Sequence, residues 1–231
     1  MNAIDSNLNW SEANQRLLAA ELARLKIRLG GEGDAAAAQQ AVDQARSAMP
    51  SAVAIDRLTQ SFGLSAFERD LLLLCAGVEM DSALAERCGH AHNDARRAYA
   101  SLGLALAVLD DAHWSALAPV RPLRRWRLIE VDESAGLAQG RLRIDERVLH
   151  YLAGVNYLDV RLQSLLRVQP LPAVLAQAHQ ATCAAMLAAL ERRRDVLPAI
   201  SLVGDDALGQ AGIAAQAAAA LGLSLHVLRE E

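Results

Sequence analysis

The chain has 231 residues, of which 53% are apolar and 22% charged, and a formal net charge of −4. That suits one large or two small domains with real cores, and the acidic balance opposes strong phosphate affinity. No apolar stretch is long enough to span a bilayer and the polar, acidic N-terminus does not read as a secretory leader, so a cytoplasmic protein without membrane contact is expected.

Helices are predicted first. Leu17, Leu18, Leu22, Leu25 and Leu29 recur at helical spacing between Trp10 and Leu29, and Gly30-Gly31 stops the pattern. A second helix is predicted from Asp34 to Met49, closed before Pro50. Neither clusters titratable groups, so helical packing or a dimer contact is the expected role. Ser65-Ala66-Phe67-Glu68 has the form of a capping box, opening a strongly apolar helix through Cys75. Three widely spaced cysteines form no disulfide framework, and Cys75 follows Leu71-Leu72-Leu73-Leu74, which fits burial in a reducing compartment. Asp81 begins a helix through about Arg87, Asn93 begins another, and Leu102 to Leu109 continues apolar. Between them, Cys88, His90, His92 and Asp94 offer metal-ligand types, but their spacing fits no usual zinc pattern, and a structural loop is the expected reading.

The period then changes. Arg125 to Val131 largely alternates, Asp132 to Gly140 is turn-rich, and Arg141 to Ile144 alternates again, which reads as a β-hairpin. Asp145 caps a helix through Tyr151 that Gly154 can end. Helices followed by such a hairpin describe a winged-helix domain. Arg121, Arg124, Arg125 and Arg127 around Trp126 form the one basic patch with an aromatic, with Arg124, Arg125, Trp126 and Arg127 as the candidate interaction residues. DNA is one reading of that patch, with Asn93 to Tyr99 as the recognition segment. Salt bridges to Glu130, Glu133 or Asp145 are the other, and an acidic chain with a single lysine, Lys26, disfavours DNA.

Farther on, His179 and Cys183 stand one helical turn apart without an evident third group to orient them, and helix packing is the expected role. Gly204-Asp205-Asp206-Ala207-Leu208-Gly209-Gln210-Ala211 has the spacing of a GxxxxGK[ST] phosphate loop, with Gln210 in place of the lysine and Ala211 in place of the hydroxyl residue. Ala199 to Val203 reads as a preceding strand, Gly212 to Leu221 as the following helix and Leu223 to Leu228 as a second strand, a βαβ pattern. An ordinary glycine-rich strand-to-helix turn is the alternative. Asp205 and Asp206 place negative charge at the loop mouth, and no arginine lies between Arg194 and Arg229 to offset it.

Phe62 to Cys75, then Pro122 to Leu128, then Ile144 to Leu152 resemble AAA+ ATPases with an N-terminal winged-helix domain, of the type found with contractile injection systems. The resemblance covers roughly residues 50 to 231. It implies a mainly α chain: an N-terminal helical segment (1–50), a winged-helix domain (51–154), a helical linker (155–195) and the opening βαβ of a P-loop AAA+ module (196–231). It further implies that Gly204, Gly209, Gln210 and Ala211 are an eroded Walker A loop, with no catalytic residue and no metal site in this chain. The expected function is that of a pseudo-ATPase adaptor, the N-terminal part of a longer protein, making protein contacts. ATP and Mg²⁺ belong to an intact module elsewhere in the parent, which would also drive homo-oligomerisation. A winged-helix nucleic-acid-binding regulator is the alternative function, although tight DNA binding is not expected.

Overall fold

The computed structural model describes residues 3–192 and 198–229 and divides into two compact units, residues 1–157 and 158–231. The first is mainly helical. Its helices are α1 (Ala3–Arg28), α2 (Ala35–Ser47), α3 (Ala54–Phe62), α4 (Ala66–Met80), α5 (Ser82–Ala91), α6 (Leu102–Val108), α7 (Pro122–Arg125) and α8 (Glu146–Leu152). Strands β1 (Ile129–Val131) and β2 (Leu142–Ile144) form the expected antiparallel hairpin, with Ile129 opposite Ile144 and Val131 opposite Leu142.

The fold is organised around α4. Phe67 and Leu71 to Leu74 are 0% exposed, and Cys75 and Ala76 are buried beside them, so the stretch from Leu71 to Ala76 is apolar on every face and has to be enclosed by others. Each fully buried leucine or phenylalanine contributes about 1.5–3 kcal/mol from water exclusion. Helices α1 and α5 and strand β2 pack against it. Gly77 permits the approach, since a Cβ there would lie 2.8 Å from Leu22 Cδ2 and 2.9 Å from Leu84 Cδ1. One hydrophobic cluster runs from Leu17 and Val42 through α4 to Leu142 and Leu152. Residues on both sides of position 50 thus share a core.

The Ser65 capping box is complete. Ser65 Oγ accepts from Glu68 N at 3.1 Å, and Ser65 N donates to Glu68 Oε2 at 2.8 Å. Buried Asn14 of α1 joins two helix ends, donating to Leu152 O at 2.8 Å and accepting from Ala54 N at 3.1 Å. This satisfies one orphan carbonyl of α8 and one orphan N–H at the start of α3. Glu21, 1% exposed, is the charged centre of the same region. It accepts from Arg24 at 3.1 Å and Arg46 at 3.2 Å and pairs with Arg69, while Asp70 takes Arg24 at 2.8 Å and Arg69 at 2.7 Å. Helices α1, α2 and α4 are therefore tied by charge as well as by the core.

Three sequence expectations are corrected here. The helix predicted from Asn93 is a single 3-10 turn, Ala95–Arg97, because Asn93 takes φ 58° and Asp94 caps only that turn. The strand predicted from Arg125 begins at Ile129: Pro122 opens the helical turn α7, and Arg127 at φ 51° turns the chain before β1. In the second unit, Ala199 to Val203 forms no strand, and Val203 is 94% exposed.

That unit holds α9 (Val160–Gln163), β3 (Leu166–Val168), α10 (Gln177–Arg192), α11 (Ala207–Ala220) and β4 (His226–Leu228). A strand lies within the segment expected as a helical linker, and β4 pairs antiparallel with it, Leu166 opposite Leu228. A parallel strand at Ala199 to Val203 needs neighbours on both sides to satisfy its backbone. Among the described residues it has none, whereas β4 finds β3. The P-loop βαβ pattern is thus replaced by an antiparallel pair and two helices, α10 and α11, which pack through Cys183, Ile213 and Ala217. The expected boundary at residues 195 and 196 lies outside the described residues.

Burial raises the Glu21 carboxyl, but Arg69 and Arg24 outweigh it and hold the group below its ordinary value. With a folded pKa below the unfolded value of about 4.3, its stabilisation is complete above that pH and is lost as pH falls through the folded value. Glu21→Gln should therefore cost about 2 kcal/mol or more at neutral pH, since it strands the arginines around it. Urea unfolding at successive pH values checks this: the gap to the wild-type chain should shrink below about pH 4.

Candidate functional site

The loop from Gly204 to Ala211 is filled by its own side chains. Asp206 caps α11, its Oδ1 accepting from Gly209 N at 2.8 Å, and Gln210 N donates to the Asp206 carbonyl at 3.0 Å. In a phosphate loop such N–H groups face the ligand. Gln210 also folds back, its Nε2 donating to Gly204 O at 3.0 Å. A Cβ on Gly209 would lie 2.3 Å from both Asp206 Oδ2 and His179 Cε1, so only glycine fits under this cap. Ala211 is half-buried and presents no oxygen. Gly204, Gly209 and Gln210 thus lie in one loop at the start of α11, with the Asp206 carboxylate capping the helix end.

His179 Nε2 lies 3.5 Å from Asp206 Oδ2, a partner that sequence reading did not find because the two are 27 residues apart. It holds α10 to the start of α11, while Cys183 is buried against Ile213 and Ala217.

The basic patch separates into paired and unpaired members. Arg121 turns away to buried Glu68, placing a fork of 3.0 Å bonds on its two oxygens. Arg124 pairs with Glu133 at 3.0 Å, as the salt-bridge reading expects. Arg125, Trp126 and Arg127 are exposed and stand together where α7 turns into β1. The Arg125 guanidinium sits 5.2 Å from the Trp126 ring centre, and that ring lies 5.9 Å from Phe62 at the end of α3. Trp126 keeps 54% of its surface exposed.

The Cys88 to Asp94 segment assembles no ligand set. Cys88 is buried in the core while His90 is exposed, and no group of three metal-binding side chains occurs among the described residues. Burial pushes the Cys88 thiol up to about 12, and drives Cys75 further in the same direction. Both are inert packing groups at neutral pH. His92 is held below its ordinary value by burial and by Arg97, and its ring lies 5.7 Å from that of Tyr99.

The candidate recognition segment is also self-satisfied: Arg96 pairs with Asp94 at 3.3 Å, and Arg97 donates to Gln139 Oε1 at 2.5 Å. Two clefts were not foreseen from sequence. One, of about 230 Å³, is lined by Glu21, Arg24, Arg46, Arg69 and Asp70, which are joined by ion pairs, Arg46 also pairing with Asp56. The other, of about 530 Å³, runs along α1 past Leu22 and Ala23 to Met80 and Asp81, with the Lys26–Asp81 ion pair on its wall. No described helix is long and apolar enough to cross a membrane.

Asp206→Ala should remove the α11 cap and the contact to His179 together. The expected loss is about 1 kcal/mol locally, seen as faster hydrogen exchange at Gly209 and Gln210, with protection in α4 unchanged.

A family model described as "Winged helix domain, variant" matches residues 5–166, from α1 through the hairpin and α8 to β3. No curated protein and no solved structure matches the chain. The match spans well over half of the sequence and takes in the helices and hairpin just described, and the chain belongs to this variant winged helix domain family.

Proposed function

We propose that this chain is a non-catalytic adaptor: a winged-helix domain that makes protein contacts, followed by the pseudo-ATPase opening of a AAA+ protein that serves a contractile injection system. The observation that carries the adaptor reading is the exposed Trp126, flanked by Arg125 and Arg127, beside Arg121 and Arg124 that are paired with Glu68 and Glu133. Exposed tryptophan and arginine dominate protein-binding hot spots. The AAA+ and injection-system parts rest on sequence resemblance and on the loop frame from Gly204 to Ala211. In this reading homo-oligomerisation, with ATP and Mg²⁺, belongs to an intact AAA+ module and not to the loop from Gly204 to Ala211.

The pseudo-ATPase reading draws support from loop chemistry. Gln210 carries no charge to reach a phosphate, Ala211 has no hydroxyl for Mg²⁺, and the Asp206 carboxylate takes the Gly209 N–H. The purified chain should neither bind ATP tightly nor hydrolyse it, and Gln210→Lys with Ala211→Thr should still give no turnover. Calorimetric titration and phosphate release check both statements, and measurable hydrolysis by either protein would end the reading.

For the nucleic-acid alternative, a phosphate backbone asks for several unpaired cations. Arg96 is engaged by Asp94, Arg121 by Glu68 and Arg124 by Glu133, while Arg97 donates to the neutral amide of Gln139 and keeps its charge. DNA should bind only weakly at physiological salt. A tight complex in a salt-dependent mobility-shift assay, weakened by Arg96→Ala or Arg97→Ala, would reverse the assignment.

A further inference from the structure

We infer that the surface formed by Phe62, Arg125, Trp126 and Arg127 recognises a short acidic segment of a partner protein that carries an apolar side chain. This rests on the protein-contact reading above and names the chemistry of the partner.

Two features specify the apolar half. Trp126 is 54% exposed, and the inner side of its ring lies against Phe62, 5.9 Å between ring centres. An aromatic surface fixed on its inner side and open on its outer side offers a leucine-sized or aromatic side chain a seat with little ordering cost.

Charge specifies the other half. Four arginines occur within seven residues, from Arg121 to Arg127. Arg121 and Arg124 are committed to Glu68 and Glu133. Arg125 makes its one described contact with the face of Trp126, and Arg127 makes no described side-chain ion pair. Their backbone is fixed: Arg127 N donates to Arg124 O at 3.1 Å, and Leu128 N to Leu123 O at 3.0 Å. Arg127 takes φ 51°, a conformation that L side chains adopt rarely and that costs backbone energy. A turn under that constraint holds two exposed arginines, neither with a described ion pair, next to Trp126 in the chain. On a chain whose net charge is −4, this local surplus of positive charge complements a carboxylate-bearing partner.

Carboxylates fit better than phosphates of a nucleic acid. Two unpaired guanidinium groups can each form a bidentate pair with one carboxylate. They neutralise too few phosphates to hold a duplex at physiological salt. Exposed Glu130, in the strand that follows, adds a charge that a polyanion covering the hairpin would have to approach.

The test uses the full chain and fluorescence anisotropy with four probes: a short labelled peptide alternating aspartate with leucine, the same peptide with asparagine for aspartate, the same with serine for leucine, and a random-sequence DNA duplex. The aspartate–leucine peptide should bind. Its affinity should fall about tenfold or more on either peptide change, on Arg125→Ala with Arg127→Ala, and on Trp126→Ala. The exposed arginine pair can be replaced without touching the core, and Arg125→Lys with Arg127→Lys should keep most of the binding. Absence of binding up to about 1 mM peptide overturns the inference. So does unchanged affinity in the double alanine variant. Equal binding of the asparagine peptide would remove the acidic preference while leaving a protein-contact surface in place. Tight binding of the duplex, lost in the double alanine variant, would overturn both this inference and the reading on which it rests.

Discussion

A helical stretch that is apolar on every face has to be surrounded, and the middle of α4 imposes that requirement on the first unit. From Leu71 to Ala76 it leaves no polar stripe for solvent, so α1, α5 and β2 close over it. The hairpin is positioned by this need: Leu142 and Ile144 face the core, and the register Ile129 to Ile144 follows from that alternation. Gly77 then sets how near α1 and α5 can come.

Around that core the polar side chains are arranged as ties between helix ends. Asn14 joins α8 to α3, Glu68 with Arg121 joins the start of α4 to the chain leading into α7, and Glu21 draws arginines from three helices. Pairing of this kind keeps buried charge tolerable, because each group that leaves water meets a hydrogen-bonding opposite charge. It also decides which arginines remain available. Of the basic run beside Trp126, Arg121 and Arg124 are paired with carboxylates, and Arg125 and Arg127 at the outer turn stay exposed without a described ion pair.

In the second unit the same logic governs a loop. The glycine spacing from Gly204 to Gly209 leads into α11, whose first N–H groups are taken by the Asp206 side chain and carbonyl. Gly209 is required there by a local carboxylate and by His179, so packing alone accounts for that glycine. With no strand at Ala199 to Val203, β4 satisfies its backbone by pairing with β3.

Much of this was legible in the residues themselves. The heptad-like leucines of α1, the Ser65–Glu68 box, the caps at Asp34, Asp81 and Asp145 and the hairpin depend on side chains only a few positions apart, so local spacing determined them. The absence of charge at Gln210 and of a hydroxyl at Ala211 is likewise a property of sequence. Local spacing misled where a short cap or a proline competed with periodicity, at Asn93 and at Pro122 to Arg127. What tertiary structure alone decided was partner choice: Glu21 with Arg69, Glu68 with Arg121, His179 with Asp206, and β4 with β3. Each joins groups many residues apart, whose meeting depends on how the core brings distant helices and strands together, and no local pattern encodes that geometry.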